Sequence, residues 1–230
     1  MAESSRQQTR RTLCILLAQW SHYGQYILTT QATMQIWLNS YPHDFAGLAR
    51  AQGLCASLGS VVNFVVGPAG GALSDAIGRK PMMFVGPVAD LIQRIVLLPL
   101  MDAKSEALAR VLFGSLAGAT SGSHSTALAD IYSEDPVLLG IWQSRMAMGT
   151  MVATMVLPII SSTLSARNLR LPLIVSALLC LCNMLLIEAT VTETLQSGKR
   201  KQWKWASSNP LVISLPGFFN FKRMLEKLWN

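Results

Sequence analysis

Charged residues are what this sequence has least of. Asp, Glu, Lys and Arg make up 13% of its 230 residues, against 51% hydrophobic. A soluble domain carries roughly 25% charged residues, so half of the expected polar surface is missing and a soluble enzyme is excluded. The same apolar content excludes a disordered tail. Cysteine is scarce as well. Cys14, Cys55, Cys180 and Cys182 all fall inside apolar stretches without paired ligand spacing, which excludes a disulfide-rich secreted module and points to small packing residues. The reading calls for no metal and no cofactor. Nor does the net charge of +7 point to nucleic acid, because the Lys and Arg residues sit between apolar runs rather than along one face of a soluble helix.

What the sequence has is apolar length. Runs cover about 12–36, 51–71, 82–101, 108–128, 138–164 and 171–187, each near the roughly 20 residues that cross a bilayer. The expected fold class is an all-α membrane protein with six transmembrane helices. Arg6, Arg10 and Arg11 precede the first run, as in a signal peptide. That run is too long, however, and contains Gln19, His22, Tyr23, Gln25 and Gln31, so it reads as a retained helix. The expected organisation is a cytoplasmic segment over 1–11, a helical bundle over 12–190 and a cytoplasmic linker over 191–230. Arg6, Arg10, Arg11, Arg79, Lys80, Lys199, Arg200, Lys201 and Lys204 would share one side, against Arg50, Lys104, Arg167 and Arg170 on the other. This bias places both termini in the cytoplasm. The stretch 211–229, interrupted by Pro216, Gly217 and Asn220, reads as an amphipathic helix lying on the cytoplasmic leaflet.

Small residues repeat every four positions along the second run (Cys55, Gly59, Asn63, Gly67, Gly71) and the fourth (Gly114, Gly118, Gly122). Such stripes let helix backbones approach closely where lipid supplies no hydrophobic drive, either as fixed packing or as a sliding contact. Polar residues inside the runs are the candidates for a substrate or proton cavity. Gln19, His22, Tyr26 and Thr29 share a face of the first helix, which looks into a cavity or packs against another helix. Asn63 lies on the second helix. Asp90 and Arg94 are four apart in the favourable order for an internal ion pair. Arg145 has no evident partner within its own helix, which suits a cavity charge or a bond to another helix.

One joint is more specific. Gly71-Ala72-Leu73-Ser74-Asp75-Ala76-Ile77-Gly78-Arg79-Lys80-Pro81 resembles the signature between the second and third helices of the major facilitator superfamily of secondary transporters. Gly71 would allow a close approach, Gly78 a tight turn, and Pro81 the first turn of the next helix. The resemblance implies that Asp75 and the basic pair Arg79 and Lys80 form a cytoplasmic latch that breaks and re-forms as the protein changes direction. Arg110 with Gly114 is similar to the family's arginine-x-x-x-glycine motif, linked to proton transfer. Near the outer edge, however, Arg110 could equally snorkel. Asp130 and Gly140 resemble the joint before the fifth helix, and Val191-Thr192-Glu193-Thr194-Leu195 resembles the central linker of the tetracycline/proton antiporter-like branch. The glycines of the antiporter element in the fifth helix are absent around Pro158.

The resemblance implies the amino-terminal six-helix half of a major facilitator fold. It implies secondary transport of a small solute by alternating access, coupled to protons, with no catalytic residues. The implied partners are the solute, protons and the lipid bilayer, with a carboxy-terminal half or a second copy supplying the other side. A non-transporting truncated product, or a modulator of a full-length relative, is the alternative. An intramembrane serine hydrolase is a weaker one. Ser121, Ser123, His124 and Ser125 crowd the fourth helix, but adjacent residues on a helix point apart.

Overall fold

The computed structural model describes residues 2–195 and Arg200. Lys199, Lys201, Lys204 and the expected amphipathic segment 211–229 lie outside the described residues. The described chain is helical: α1 (Ala2–Ile27), α2 (Thr30–Ser40), α3 (Phe45–Ile77), α4 (Arg79–Leu100), α5 (Ala103–Ala109), a π-helical turn (Arg110–Gly114), α6 (Ser115–Thr120), α7 (Gly122–Ile131), α8 (Pro136–Arg167) and α9 (Leu171–Thr190). Three helices start on aspartate caps. Asp44, Asp102 and Asp135 accept from the backbone N–H of Gly47 (2.8 Å), Ser105 (3.1 Å) and Leu138 (2.9 Å), satisfying donors that a helix start leaves open. Hydrogen bonds from Ser105 hold the Asp102 carboxyl below its ordinary pKa, so this cap is lost at lower pH than an unbonded aspartate would be. Pro136 and Pro172 occupy the first turns of α8 and α9, where a missing N–H costs nothing.

Six spans were expected, whereas among the described residues four helices, α3, α4, α8 and α9, are long and apolar enough to cross a membrane. The first run falls short because of its polar residues. Thr12, Gln19, His22 and Gln25 are all buried within the bundle, a placement that tolerates polarity which lipid would not. The fourth run is divided by the π turn at Arg110 and by Ser121, into pieces each too short to count alone. The joints are also shorter than the sequence suggested. Ser74–Ile77 belong to α3 and Arg79–Pro81 to α4, leaving Gly78 between them. Residues 103–107, read as a joint, form most of α5.

The main apolar core joins α1, α4, α7, α8 and α9 through Ile15, Leu16, Met83, Leu128, Trp142 and Ile187. Burial is uneven. In the apolar windows of α4 and α9, 44% and 33% of residues are buried, but only 6% in those of α3 and α8. Few residues of these two helices are fully buried, and Leu54, Val61, Phe64, Met151, Met155 and Ile159 face outward.

Close packing uses glycines only in part as the stripes predicted. Gly59 O accepts from Ser115 Oγ at 3.1 Å, and a Cβ on Gly118 would lie 3.4 Å from Asn63 Nδ2. Both join α3 to α6. Gly71 does not make the expected approach, since a Cβ there meets nothing within 4 Å. Its neighbour Gly70 does, because a Cβ would lie 2.9 Å from the Ala119 carbonyl oxygen. The close contact thus falls one residue earlier than the motif reading placed it.

Candidate functional site

Two polar assemblies stand out, one at the α3–α4 joint and one deep in the bundle. At the joint, Gly78 adopts φ +118 and ψ 164, a region essentially reserved for glycine. The reversal brings the start of α4 under the chain that follows α9. There Glu193 accepts from Arg79 N at 3.0 Å and from Lys80 N at 3.3 Å. A carboxylate at a helix amino terminus meets both the open donors and the positive end of the dipole. A side chain on Gly78 would run into that carboxylate.

Arg79 is 8% exposed and its fork is shared. Its Nη1 meets Asp75 Oδ1 at 2.6 Å and donates to Ser74 Oγ at 2.9 Å, while Nε donates to Asp130 Oδ2 at 2.9 Å. One guanidinium therefore ties the end of α3 to the end of α7, a geometry suited to Arg and not to Lys. Lys80 is held differently, at 3.1 Å from the exposed Glu188 carboxylate and 3.0 Å from its carbonyl oxygen.

The deep assembly is a chain of buried polar groups on α1, α4 and α9. Gln25 Nε2 donates to Asp90 Oδ2 at 3.0 Å and stands 3.0 Å from His22 Nδ1. His22 Nδ1 lies 3.7 Å from the same carboxylate oxygen, and Arg94 Nη1 lies 3.6 Å from Asp90 Oδ1. Asp90 and Arg94 are each 2% exposed. The expected ion pair is present, but Arg94 makes closer bonds to Gln93 Oε1 (2.7 Å) and Ser176 Oγ (3.2 Å). Ser176 in turn donates to the Gln25 carbonyl at 2.6 Å. Beside this chain, the rings of His22 and His124 stack at 6.1 Å.

Two cavities adjoin it. One of about 410 Å³ is bordered by His22, Tyr26, Asn63, Asp90, Arg110 and the small residues of α3 and α6. The other, about 550 Å³, is bordered by Tyr26, Gln52, Gln93, Arg94, Glu106 and Arg110. Arg110, at the first residue of the π turn, faces both. Its Nε and Nη2 each reach Glu106 Oε1 at 2.8 Å, and Trp37 Nε1 donates to Glu106 Oε2 at 2.6 Å. A π turn inserts one extra residue per turn and often marks a functional position.

The model of the Major Facilitator Superfamily matches residues 15–225. The chain belongs to this superfamily. Among solved structures, its fold is similar to that of the human organic anion transporter MFSD10 (TETRAN), with a TM-score of 0.72 at 16% identity. That alignment covers 84% of this chain and 50% of the transporter, so the chain spans about half of its length. No curated protein matches the sequence. As a superfamily member with long apolar helices, the chain is an integral membrane protein.

Most of the residues singled out in the sequence now have a place. The motif residues Asp75, Gly78, Arg79 and Lys80 come together at the α3–α4 joint, whereas Gly71 makes no close contact. His22, Tyr26, Asn63 and Arg110 border the 410 Å³ cavity. Arg110 pairs with Glu106 rather than reaching out to lipid. Gln19 is buried, with Oε1 lacking a partner, but borders neither cavity. Arg145 corrects an expectation: it has a partner on its own helix, its guanidinium carbon lying 4.5 Å from the centre of the Trp142 ring. The hydroxyls of Ser121, Ser123 and Ser125 bond to backbone carbonyls three residues back, and none reaches His124.

Sequence reasoning missed Glu106 and Ser176. Glu106 precedes Arg110 by four residues, a spacing that favours pairing, and assigning 102–107 to a loop hid it. Ser176 carried no signal beyond polarity within an apolar run.

Proposed function

We propose that the chain works as the amino-terminal six-helix half of a secondary transporter that moves a small solute by alternating access, coupled to protons. Six crossings place both termini in the cytoplasm, with the bundle over 12–190 and a linker over 191–230. One observation carries this reading: a buried path His22–Gln25–Asp90–Arg94 lies beside two cavities. Buried ionisable groups are costly in a membrane and mark transport pathways. Superfamily membership and the alignment to half of a transporter support the rest. His22 and Asp90 are the proton-accepting pair, and Tyr26, Asn63 and Arg110 face the solute. The Gly78–Arg79–Lys80 joint with Asp75 is the cytoplasmic latch. The outward faces of α3 and α8 receive the carboxy-terminal half.

Reconstitution in proteoliposomes tests this. The chain alone should show no proton or solute flux, and joined to a carboxy-terminal half it should. In the joined form, Asp75→Asn should cut transport at least tenfold with little change in melting temperature, because Arg79 keeps its bond to Asp130. Equal losses of transport and of folded protein would make the joint a mere turn. Flux from a stable homodimer, abolished by His22→Ala, would make this a half-size transporter instead.

A further inference from the structure

An apolar groove of about 340 Å³ runs between α2, α3 and α5, and Lys104 is the one charged residue that borders it. Buried Trp37 and Cys55 form its floor, and Trp37 stacks on Tyr41 at 6.1 Å. Its rim is Leu54, Leu58 and Leu108, all exposed, so the groove opens outward. On α3, Ala51, Leu54 and Leu58 border the groove, while Gln52, Gly53 and Ala56 border the 550 Å³ cavity. At 3.6 residues per turn these two sets lie about half a turn apart. The groove is therefore on the side of α3 away from the solute cavities. Cys55 Sγ donates to the Ala107 carbonyl at 3.7 Å and Ser115 Oγ to that of Gly59, so α3 and the α5–α6 stretch run in the same direction. Arg50 precedes Cys55 by five residues and Lys104 precedes Ala107 by three, which sets the two cations at about one level. On each helix a leucine follows four residues later, near the same face and about 6 Å deeper. Both cations are exposed, and neither side chain bonds to another described residue. Asp44 and Asp102, at the same end, are turned to the backbone N–H groups that they cap.

We propose that the groove holds one chain of a bilayer phospholipid, with the lipid phosphate at its mouth between Arg50 and Lys104. The groove lies along α3, one of the helices apolar enough to cross a membrane. The hydrocarbon region has no water to fill such a groove, which leaves acyl chains. The chain alone gives little preference for this place, because lipid tails are as apolar as the leucines they touch. Selectivity comes from the mouth. Two cations there meet a phosphate by charge-assisted bonds, and the stacked Trp37 and Tyr41 suit the level where hydrocarbon gives way to headgroups. A phospholipid carries its charge outside and its hydrocarbon inside, the same order as Arg50, Leu54 and Leu58 on α3 and Lys104 and Leu108 on α5. The site uses none of the buried polar chain and lies at the start of α3, whereas the Asp75–Arg79 joint lies at its end. It is thus independent of the transport reading.

Native mass spectrometry of the purified full chain in detergent tests the assignment, with phosphatidylglycerol, phosphatidylcholine and diacylglycerol as probes. One phosphatidylglycerol should be retained per chain, phosphatidylcholine more weakly, and diacylglycerol, which lacks the phosphate, not at all. Arg50→Gln and Lys104→Gln should each weaken retention of phosphatidylglycerol about fivefold, the scale of one basic residue at an anionic lipid surface. Arg167→Gln, which removes an exposed cation outside the groove, should leave it unchanged. Ala51→Phe fills the groove without altering charge and should weaken retention as well. Melting temperatures without lipid should match the parent for the three charge variants, which separates lost binding from damage. The proposal is overturned if no phosphatidylglycerol is retained, if diacylglycerol is retained equally, or if Arg167→Gln loses as much as Lys104→Gln. Loss in both charge variants with full retention in Ala51→Phe would also overturn it, since the headgroup would then bind without a chain in the groove.

Discussion

Arg79→Gln should destabilise the folded protein by about 2–3 kcal/mol, the largest cost of any single charge removed from the α3–α4 joint. Arg79 is 8% exposed and serves Asp75, Ser74 and Asp130 together. Removing it takes a shared cation from Asp75 and Asp130 in a partly buried site, and the negative charge left less compensated there, rather than the lost attraction, sets the cost. Bonds to charged groups contribute roughly 1.5–3 kcal/mol, and the carboxylates' partial exposure keeps the sum near the lower end. Lys80→Gln is the comparison. Its carboxylate partner, Glu188, is 68% exposed on its side chain, and such a pair is worth about 0–1 kcal/mol. Thermal unfolding in detergent should separate the two variants clearly. Equal, small losses would mean that water serves Arg79 as well as its three acceptors do and that these bonds do not hold α3 to α7.

Gly149→Val should leave little folded protein. A Cβ at Gly149 would overlap the Trp20 ring, which is fixed because its Nε1 donates to the Met146 carbonyl at 3.0 Å. A large ring cannot step aside as a flexible chain end would, so α1 and α8 must separate. Overpacking commonly costs 1–3 kcal/mol, and loss of the tryptophan bond adds about 1 kcal/mol. Gly140→Val on the same helix, with nothing within 4 Å of its Cβ, should be nearly neutral. The diagnostic is the pair: Trp20→Ala should recover part of the Gly149→Val loss, because the two changes act on one contact. Strictly additive losses would place the damage elsewhere.

The family was legible in the sequence because the joint packs several constrained residue types into a short span. Gly78 needs its positive φ, Arg79 its three acceptors and Pro81 its place in the first turn of α4. The helical class was legible from apolar length alone. Span count was not, because hydropathy treats every polar residue as exposed to lipid. Gln25 and Thr12 at 0% exposure contradict that assumption, since the bundle itself solvates them. The π turn at Arg110 was equally invisible, as no residue type announces it.

The deep site was half legible. His22, Tyr26, Asp90, Arg94 and Arg110 announced themselves as polar residues in apolar runs. Their partners did not, because pairing across helices depends on rotation and depth that one-dimensional spacing leaves open. Ser176 meets Arg94 from 82 positions away, and Trp37 meets Glu106 from 69. Gly71 and Gly70 show the same limit at finer scale. The motif suggests a close approach at one glycine, and the packing of α3 on α6 puts it at the other.

The central claim is that six helical stretches cross the membrane, with the Asp75–Arg79 joint and both termini on one side. Cysteine-accessibility labelling in a background without the native cysteines tests it most directly, at Lys104→Cys in the first turn of α5 and Glu134→Cys after α7. If the α5–α7 stretch crosses the bilayer, the two positions label from opposite sides, with Glu134 on the side of the amino terminus. If only α3, α4, α8 and α9 cross, both label from the same side, and the six-helix account is contradicted.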